Sequence, residues 1–154
     1  MQLLTDISPT ARQFQEQMIA FIRAFGLHRP DQTPCGRSVS VAEAHTLMEL
    51  TRTAPLTQND LARRLRLEKS TVSRLVAQLD QRGWITRERN SHDGRALDIT
   101  LTPEGTDIAT DLATARQQIF DDLLQAIPDT KRATVLQALT ILTEALYDHH
   151  ANDS

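Results

Sequence analysis

The sequence predicts a mainly α-helical protein with one small β-hairpin. Apolar residues recur at helical spacing in six segments, and near the centre of the chain they alternate with polar residues on both sides of a turn-forming cluster. Apolar residues make up 40% of the 154 residues and charged residues 24%, which is the balance of a globular domain. A chain of this length can bury a core of its own, so we expect a single α+β domain over residues 1–154.

The first two helices are predicted from their start and stop signals. The Ser8–Pro9 pair is typical of a helix N-cap followed by the first helical position, and Gly26 is typical of a helix end. Ser40 and Glu43, three residues apart, predict a capping box at the start of a second helix. The apolar stripe of the first helix consists of Phe14, Met18, Phe21, Ile22 and Phe25.

The third and fourth helices form a helix-turn-helix pattern. Thr57 and Asp60 predict a second capping box, Leu67 fits the turn, and the fourth helix covers about residues 69–82. One side of the fourth helix is apolar and is predicted to be buried, with Val72, Leu75, Val76 and Leu79. The opposite side carries Ser70, Thr71, Ser73, Arg74 and Gln78. Hydroxyl, amide and guanidinium groups bind base edges and phosphates in the major groove, so we predict that this side contacts DNA rather than being an ordinary solvated face.

A β-hairpin follows, with its turn at residues 90–94. Arg89 and Arg95 bracket this turn, so both guanidinium groups can project from one tip. A narrow minor groove has enhanced negative potential and attracts such an arginine, which predicts two further DNA contacts. Asp93 either pairs with a neighbouring arginine or simply forms the turn.

Two long helices end the chain, separated by Pro128. Their apolar residues step by heptad-like spacing. The two seams are Ile108, Leu112, Ala115 and Ile119, and then Val135, Leu139, Leu142 and Leu146. Because the terminal helices would leave apolar surface around a small centre, we predict that they pair two copies of the chain. Packing of the stripes within one chain is the alternative.

The charge distribution also favours a nucleic-acid partner. The formal net charge is −3, but residues 57–95 hold nine basic against five acidic side chains, a balance of +4. The remaining eight basic and fifteen acidic side chains give −7. A basic centre between acidic flanks is expected of a protein that binds phosphate with one face.

Several classes of protein are disfavoured by what the sequence lacks. It contains no Gly-rich phosphate loop, no G-x-S-x-G nucleophile and no paired Cys or His at ligand spacing, so we expect no enzyme, no metal site and no cofactor. The single cysteine, Cys35, fits a reducing compartment. No secretory signal and no membrane-spanning segment is visible, so we expect a cytoplasmic protein without a membrane partner.

Residues 38–105 resemble the MarR (multiple-antibiotic-resistance regulator) family. The resemblance rests on the combination of SVAEAHTLMEL, LTQNDLARRLRLEKSTVSRLVAQLDQRGWITRE and NSHDGRALDITLTPEG. It implies a winged helix-turn-helix protein and a homodimer of triangular outline whose outer helices intertwine. The helix with Ser70 and Arg74 would enter the major groove, and Arg95 on the wing would enter the minor groove with Asp93 holding it. Gly94 stands where many members have a second arginine, which removes one cation from the wing tip.

The resemblance also implies an effector site between the dimer helices and the DNA-binding lobe. Small aromatic or phenolic effectors are typical of the family. The walls of the site would come from Phe14, Met18, Phe21, His45 and Met48, although such side chains are equally compatible with an ordinary core. Cys35 lies near Arg37, and a nearby cation favours a reactive thiolate, so a redox-responsive regulator is an alternative.

The sequence therefore predicts a sequence-specific DNA-binding transcriptional regulator, in particular a repressor. It would bind a pseudo-palindromic operator as a homodimer, with an affinity modulated by a small effector. Residues 40–101 would form the winged DNA-binding lobe, and residues 8–38 and 103–150 the helical dimerisation region. A winged-helix protein-interaction module that does not bind DNA is a further alternative.

Overall fold

The computed structural model describes residues 8–152, which form six α-helices and a two-stranded antiparallel sheet. The helices are α1 (Pro9–Phe25), α2 (Val41–Thr53), α3 (Gln58–Leu65), α4 (Lys69–Gln81), α5 (Pro103–Ala126) and α6 (Asp129–Asn152). The strands are β1 (Ile85–Arg89) and β2 (Leu97–Leu101), and they lie between α4 and α5. The predicted fold class, mainly α-helical with one small hairpin, is confirmed.

The helix starts follow the predicted capping chemistry. Ser8 Oγ accepts a hydrogen bond from the backbone N–H of Ala11, and both predicted capping boxes are present. In the first of these, Ser40 Oγ accepts from the Glu43 N–H at 3.1 Å while Glu43 Oε2 accepts from the Ser40 N–H at 2.9 Å. Each bond satisfies a backbone donor that the first helical turn leaves without a partner. Gly26 ends α1 in the left-handed conformation, with φ of 86°.

The core lies among α2, α3, α4 and the hairpin. Its fully buried side chains come from all of these elements: Leu47, Leu50, Leu61, Val72, Val76, Leu79 and Ile99. A short bridge before α3, which the sequence did not predict, ties the hairpin to this core. In it, the Leu56 N–H donates to the Ile99 carbonyl at 3.2 Å, and the Ile99 N–H donates back at 2.8 Å.

The start of α5 lies directly against the start of the hairpin. A Cβ atom placed on Gly105 would lie 1.9 Å from the carbonyl oxygen of Trp84. That oxygen accepts the Thr102 N–H at 3.0 Å, and Thr102 Oγ1 accepts the Gly105 N–H at 3.0 Å. The residue at position 105 therefore needs to be glycine for steric reasons, because any side chain would collide with this bonded backbone.

The chain divides into two compact units, one up to Ala115 and one from Arg116 onward, so the division falls inside α5. In the second unit, Arg132 spans the break at Pro128. Its Nε donates to the carbonyls of Leu124 at 2.9 Å and Ile127 at 3.1 Å, which satisfies acceptors at the end of α5. The boundaries predicted for a DNA-binding lobe and a dimerisation region stay predictions.

Candidate DNA-binding interface

Helix α4 separates its apolar and polar side chains as predicted. All four residues of the predicted apolar face are buried: Val72, Leu75, Val76 and Leu79. On the other side Ser70, Ser73, Arg74 and Gln78 are exposed, and Thr71 is half-buried. The apolar side holds α4 against the core, and the polar side is left accessible to a partner.

The turn between α3 and α4 has two features that position α4. Arg66 has a left-handed backbone with φ of 54°, and the following Leu67 packs against the core. Left-handed geometry is uncommon for a residue other than glycine, and the sequence did not predict it here. The tight turn allows α4 to cross α3, whose Ala62 is buried and small.

The start of α3 is fixed by Asp60. Its Oδ2 accepts hydrogen bonds from the backbone N–H and the hydroxyl of Thr57, at 3.0 and 2.8 Å. These bonds hold the pKa of Asp60 below its ordinary value, with help from the charges of Arg63 and Arg64 and against the effect of burial. Asp60 is therefore a charged cap at neutral pH and neutralises part of the positive charge of α3.

Ion pairs divide eight of the nine basic side chains of residues 57–95, all except Arg66, into two groups. One group is paired with acids: Arg63 with Asp60, Arg64 with Glu49, Arg82 with Glu43, and Arg87 with Asp80. The second group has no acidic partner within the described residues and consists of Lys69, Arg74, Arg89 and Arg95. All four of these are exposed, and they lie at the start of α4, on its polar side, and on the hairpin. Lys69 directly precedes Ser70 but is not among the DNA contacts predicted from the sequence.

The buried carboxylate of Glu43 connects the end of α4 to α2. Its side chain is 5% exposed, and its Oε1 lies 3.4 Å from Nε of Arg82, the residue that caps α4. The Arg82 guanidinium also lies 4.7 Å above the ring of Trp84. A buried carboxylate needs such a cation because removal of its partner would leave an uncompensated charge. The pair therefore helps to fix the C-terminal end of α4.

In the hairpin, Arg89 pairs with Leu97 and Arg95 lies beyond the paired residues, in the turn. Asp93 Oδ1 accepts the backbone N–H of Arg95 at 3.0 Å. The contact is thus with the backbone, and no ion pair joins these two side chains in the part of the chain that the structure describes. Asp93 forms the turn, the second of the two roles considered from the sequence.

Arg95 and the start of α3 line the same cleft, which has a volume of about 270 Å³. Thr57, Gln58 and Asn59 form its α3 side, and Leu97, 38% exposed, lies on the hairpin side. The structure therefore brings the wing arginine next to the helix-turn-helix, which sequence spacing alone does not show.

The residues predicted to line an effector site lie on two helices. Phe14, Met18 and Phe21 belong to α1, and His45 and Met48 to α2. Phe14, Phe21 and His45 are exposed, and the other two are half-buried. Phe21 stacks on Phe25 with ring centroids 5.7 Å apart. An effector site at these residues stays a prediction.

Cys35 is half-buried in the loop between α1 and α2. Its Sγ lies 2.9 Å from Oγ1 of Thr33, a hydrogen-bond distance. Between residues 8 and 152, no group of three His, Cys, Asp or Glu side chains is arranged to hold a metal ion. Nor does any helix in that range combine the length and the apolar character needed to cross a membrane.

Comparison with known proteins identifies the family to which the helix-turn-helix and the hairpin are similar. A model of the MarR family matches residues 38–96, from just before α2 to the turn of the hairpin. Residues 38–96 are therefore a MarR-family region. The protein is a transcriptional regulator of the winged helix-turn-helix type, in which α4 is the second helix of the helix-turn-helix, called the recognition helix, and the hairpin is the wing.

Individual proteins are similar to this chain in sequence or in fold. An HTH-type transcriptional regulator of Bacillus subtilis, YwhA, is 25% identical over 114 residues, which cover 74% of this chain and 82% of YwhA. The transcriptional repressor MdtR of the same organism is 30% identical over 69 residues, 45% of this chain and 44% of MdtR. The crystal structure of Streptococcus pneumoniae FabT in complex with DNA superposes with a TM-score of 0.73 at 20% identity, covering 89% of this chain and 96% of FabT. YwhA and MdtR are thus named as regulators of transcription, and FabT shares the fold.

Proposed function

We propose that this protein is a sequence-specific DNA-binding repressor that acts as a homodimer on a pseudo-palindromic operator. One observation carries the proposal. Among the basic side chains of residues 57–95, Lys69, Arg74, Arg89 and Arg95 have no acidic partner in the described structure, and all four lie on the recognition helix or the wing. Cations that are not neutralised within the protein remain available to phosphate, and here they coincide with the exposed hydroxyl and amide groups of α4.

In this proposal the recognition helix and the wing have different roles. Ser70, Thr71, Ser73, Arg74 and Gln78 contact bases and phosphates in the major groove, where each base pair presents a distinct pattern of donors and acceptors. Arg89 and Arg95 bind at the adjacent minor groove, with Asp93 shaping the turn. Because minor-groove chemistry is degenerate, the wing supplies affinity more than specificity.

The homodimer is supported by apolar surface in both units of the single chain. Helix α1 buries none of its residues, and its Phe14 and Phe21 are 53% and 45% exposed. Helix α6 also buries none, with Leu136 and Ile141 each 59% exposed. Exposed apolar patches of this kind mark interaction surfaces. If a second copy of the chain covers them, the resulting two-fold symmetric dimer places two recognition helices on the two halves of a pseudo-palindrome.

Repression and effector control are further parts of the proposal. The name of MdtR, a repressor, supports repression. A small aromatic or phenolic effector bound near Phe14, Met18, Phe21, His45 and Met48 would lower operator affinity by preferring a spacing of the two recognition helices that does not fit DNA. An effector of this kind raises thermal stability and weakens operator binding by a reciprocal factor, and a ligand that binds without changing operator affinity would exclude the mechanism.

The DNA contacts are tested by fluorescence anisotropy with a duplex selected by the protein from a randomised pool and with a scrambled duplex. Arg74→Ala should reduce affinity by about 1–3 kcal/mol per contact. If Arg74 contacts a base, the loss of affinity should depend on the base pair at one position of the half-site. If Arg74 binds phosphate, affinity for both duplexes should decrease equally. Arg95→Ala should weaken binding to both duplexes and reduce the salt dependence.

A matched control for both variants is Arg63→Ala. Arg63 is 76% exposed on the neighbouring helix α3 but is paired with Asp60 at 2.9 Å, so its removal should change DNA affinity less than about twofold. Neither Arg74→Ala nor Arg95→Ala should change thermal stability, because both side chains are exposed. If both variants bind the selected duplex as tightly as the parent, the assigned interface is wrong. If the parent enriches no duplex at all, the interaction-module alternative is favoured.

A further inference from the structure

The turn of the wing, residues 90–96, is organised around the side chain of Asn90. Its Oδ1 accepts the backbone N–H groups of His92 and Asp93, both at 2.8 Å, and its Nδ2 donates to Asp98 Oδ1 at 2.7 Å. An amide oxygen has two lone pairs, so both of its acceptor positions are in use. Asn90 is half-buried, whereas residues 91–95 are all exposed. The side chain is thus directed into the turn and bonded there, and not toward a DNA partner.

Backbone hydrogen bonds connect Asn90 to the residues on either side of Arg95. The backbone N–H of Asn90 donates to the Ala96 carbonyl, and the backbone N–H of Ala96 donates to the Asp93 carbonyl, both at 3.0 Å. Asp93 Oδ1 then accepts the Arg95 N–H at 3.0 Å. The Arg95 guanidinium itself has no hydrogen-bond or ion-pair partner within residues 8–152. The direction in which Arg95 leaves the wing is therefore determined by its backbone, and that backbone is held by Asn90 and Asp93.

We propose that Asn90 is a positioning residue for Arg95: it contributes to DNA affinity by fixing the turn that presents the Arg95 guanidinium, and not through a contact of its own with DNA. The inference rests on the proposed function, because it takes Arg95 to be a DNA contact. Its physical basis is preorganisation. A turn that is already ordered in the free protein does not lose that freedom on binding, whereas a loosened turn does.

The test is a double-mutant cycle with Asn90→Ala and Arg95→Ala, measured by fluorescence anisotropy on the selected duplex at several salt concentrations. Arg95→Ala should weaken binding roughly 5- to 100-fold. Asn90→Ala should weaken it roughly 3- to 10-fold when Arg95 is present, but less than about twofold in the Arg95→Ala background. Asn90→Ala should also lower the salt slope by a fraction of the decrease caused by Arg95→Ala. Asparagine carries no charge, so only an effect transmitted through an arginine can change the number of counterions released.

Two controls separate positioning from a general loss of hairpin stability. Thr86→Val removes the 2.8 Å hydrogen bond between the Thr86 and Thr100 hydroxyls at the other end of the hairpin. It should leave DNA affinity within about twofold of the parent and the salt slope unchanged. Asn90→Asp keeps both acceptor bonds but places a carboxylate against Asp98, and it should weaken binding. Asn90→Asp combined with Asp98→Asn restores the donor–acceptor pair in reverse and should recover most of the lost affinity.

The possible outcomes distinguish this proposal from the one on which it rests. If Arg95→Ala binds like the parent, the wing assignment of the proposed function fails and the positioning of Arg95 fails with it. If Arg95→Ala is weakened but Asn90→Ala is not, only the positioning role is refuted. The positioning role is refuted as well if Asn90→Ala lowers DNA affinity by the same factor with Arg95 present and in the Arg95→Ala variant, because Asn90 would then act independently of Arg95. A Thr86→Val variant as weak as Asn90→Ala would also overturn it, in favour of a purely structural role.

Discussion

Replacement of Gly105 by alanine tests the close contact between the start of α5 and the hairpin. The alanine Cβ would lie 1.9 Å from the Trp84 carbonyl oxygen and 2.8 Å from its carbon. Normal carbon–oxygen contacts are about 3.3 Å or longer, so one of the two backbones must move by more than about 1 Å. Movement is opposed on both sides, because Trp84 O accepts the Thr102 N–H and Thr102 Oγ1 donates to the Gly83 carbonyl at 2.7 Å.

The expected size of the effect follows from two opposing terms. Alanine is favoured over glycine inside a helix by about 1 kcal/mol, which offsets part of the cost. Overpacking usually costs about 1–3 kcal/mol and occasionally more, and for this contact with a fixed backbone we expect about 3–4 kcal/mol. We therefore expect a net destabilisation of about 2–3 kcal/mol, and a melting temperature about 5–10 °C below that of the parent in a chain of this size.

The assay is thermal unfolding followed by circular dichroism, with all variants at one protein concentration because association would shift the melting temperature. Gly94→Ala is the matched control. A Cβ at Gly94 would have nothing within 4 Å, and its φ is not in the left-handed region, so the stability should change by less than about 0.5 kcal/mol. If Gly105→Ala is as stable as the parent, or more stable, helix propensity outweighs the contact and the packing argument is refuted.

Two further predictions concern the cap of α3 and the association of the chain. Because the pKa of Asp60 is lowered in the folded protein, its stabilising effect is present above the ordinary carboxyl pKa and is lost as the pH falls through the lowered value. The difference in unfolding free energy between the parent and Asp60→Asn should therefore shrink from about pH 6 to pH 3 in urea titrations, and a difference that stays constant with pH would contradict the assignment. Light scattering should give about twice the 17.3 kDa chain mass, and glutamate in place of Leu139 and Leu142 should destabilise dimer and fold together. A well-folded monomer that still binds its operator tightly would disprove the dimer.

Local signals in the sequence were sufficient for the secondary structure. The capping boxes at Ser40 and Thr57, and the left-handed stop at Gly26, are all present in the structure. The two faces of α4 were also predicted correctly. These features depend on residues no more than about four positions apart, so their physical chemistry is contained in the local sequence.

Other features of the interface could not be predicted in this way. The left-handed backbone of Arg66 has no local signal, because glycine or asparagine is the residue normally expected there. The resemblance implied an acid–arginine pair at the wing, whereas Asp93 accepts the backbone N–H of Arg95. In a turn of a few residues, side-chain and backbone partners lie at similar sequence separations, so spacing does not distinguish them.

The sequence by itself determined the order of the helices, the position of the hairpin, the polar side of the recognition helix and a net positive charge over residues 57–95. Only the tertiary structure decided which of those charges remain available to a partner. Glu43 on α2 neutralises Arg82 at the end of α4, and Asp80 on α4 neutralises Arg87 on β1. The physical reason is that an ion pair depends on distance in space, and the distances between elements are set by the packing of the core, which is not encoded in the spacing of residues along any one element.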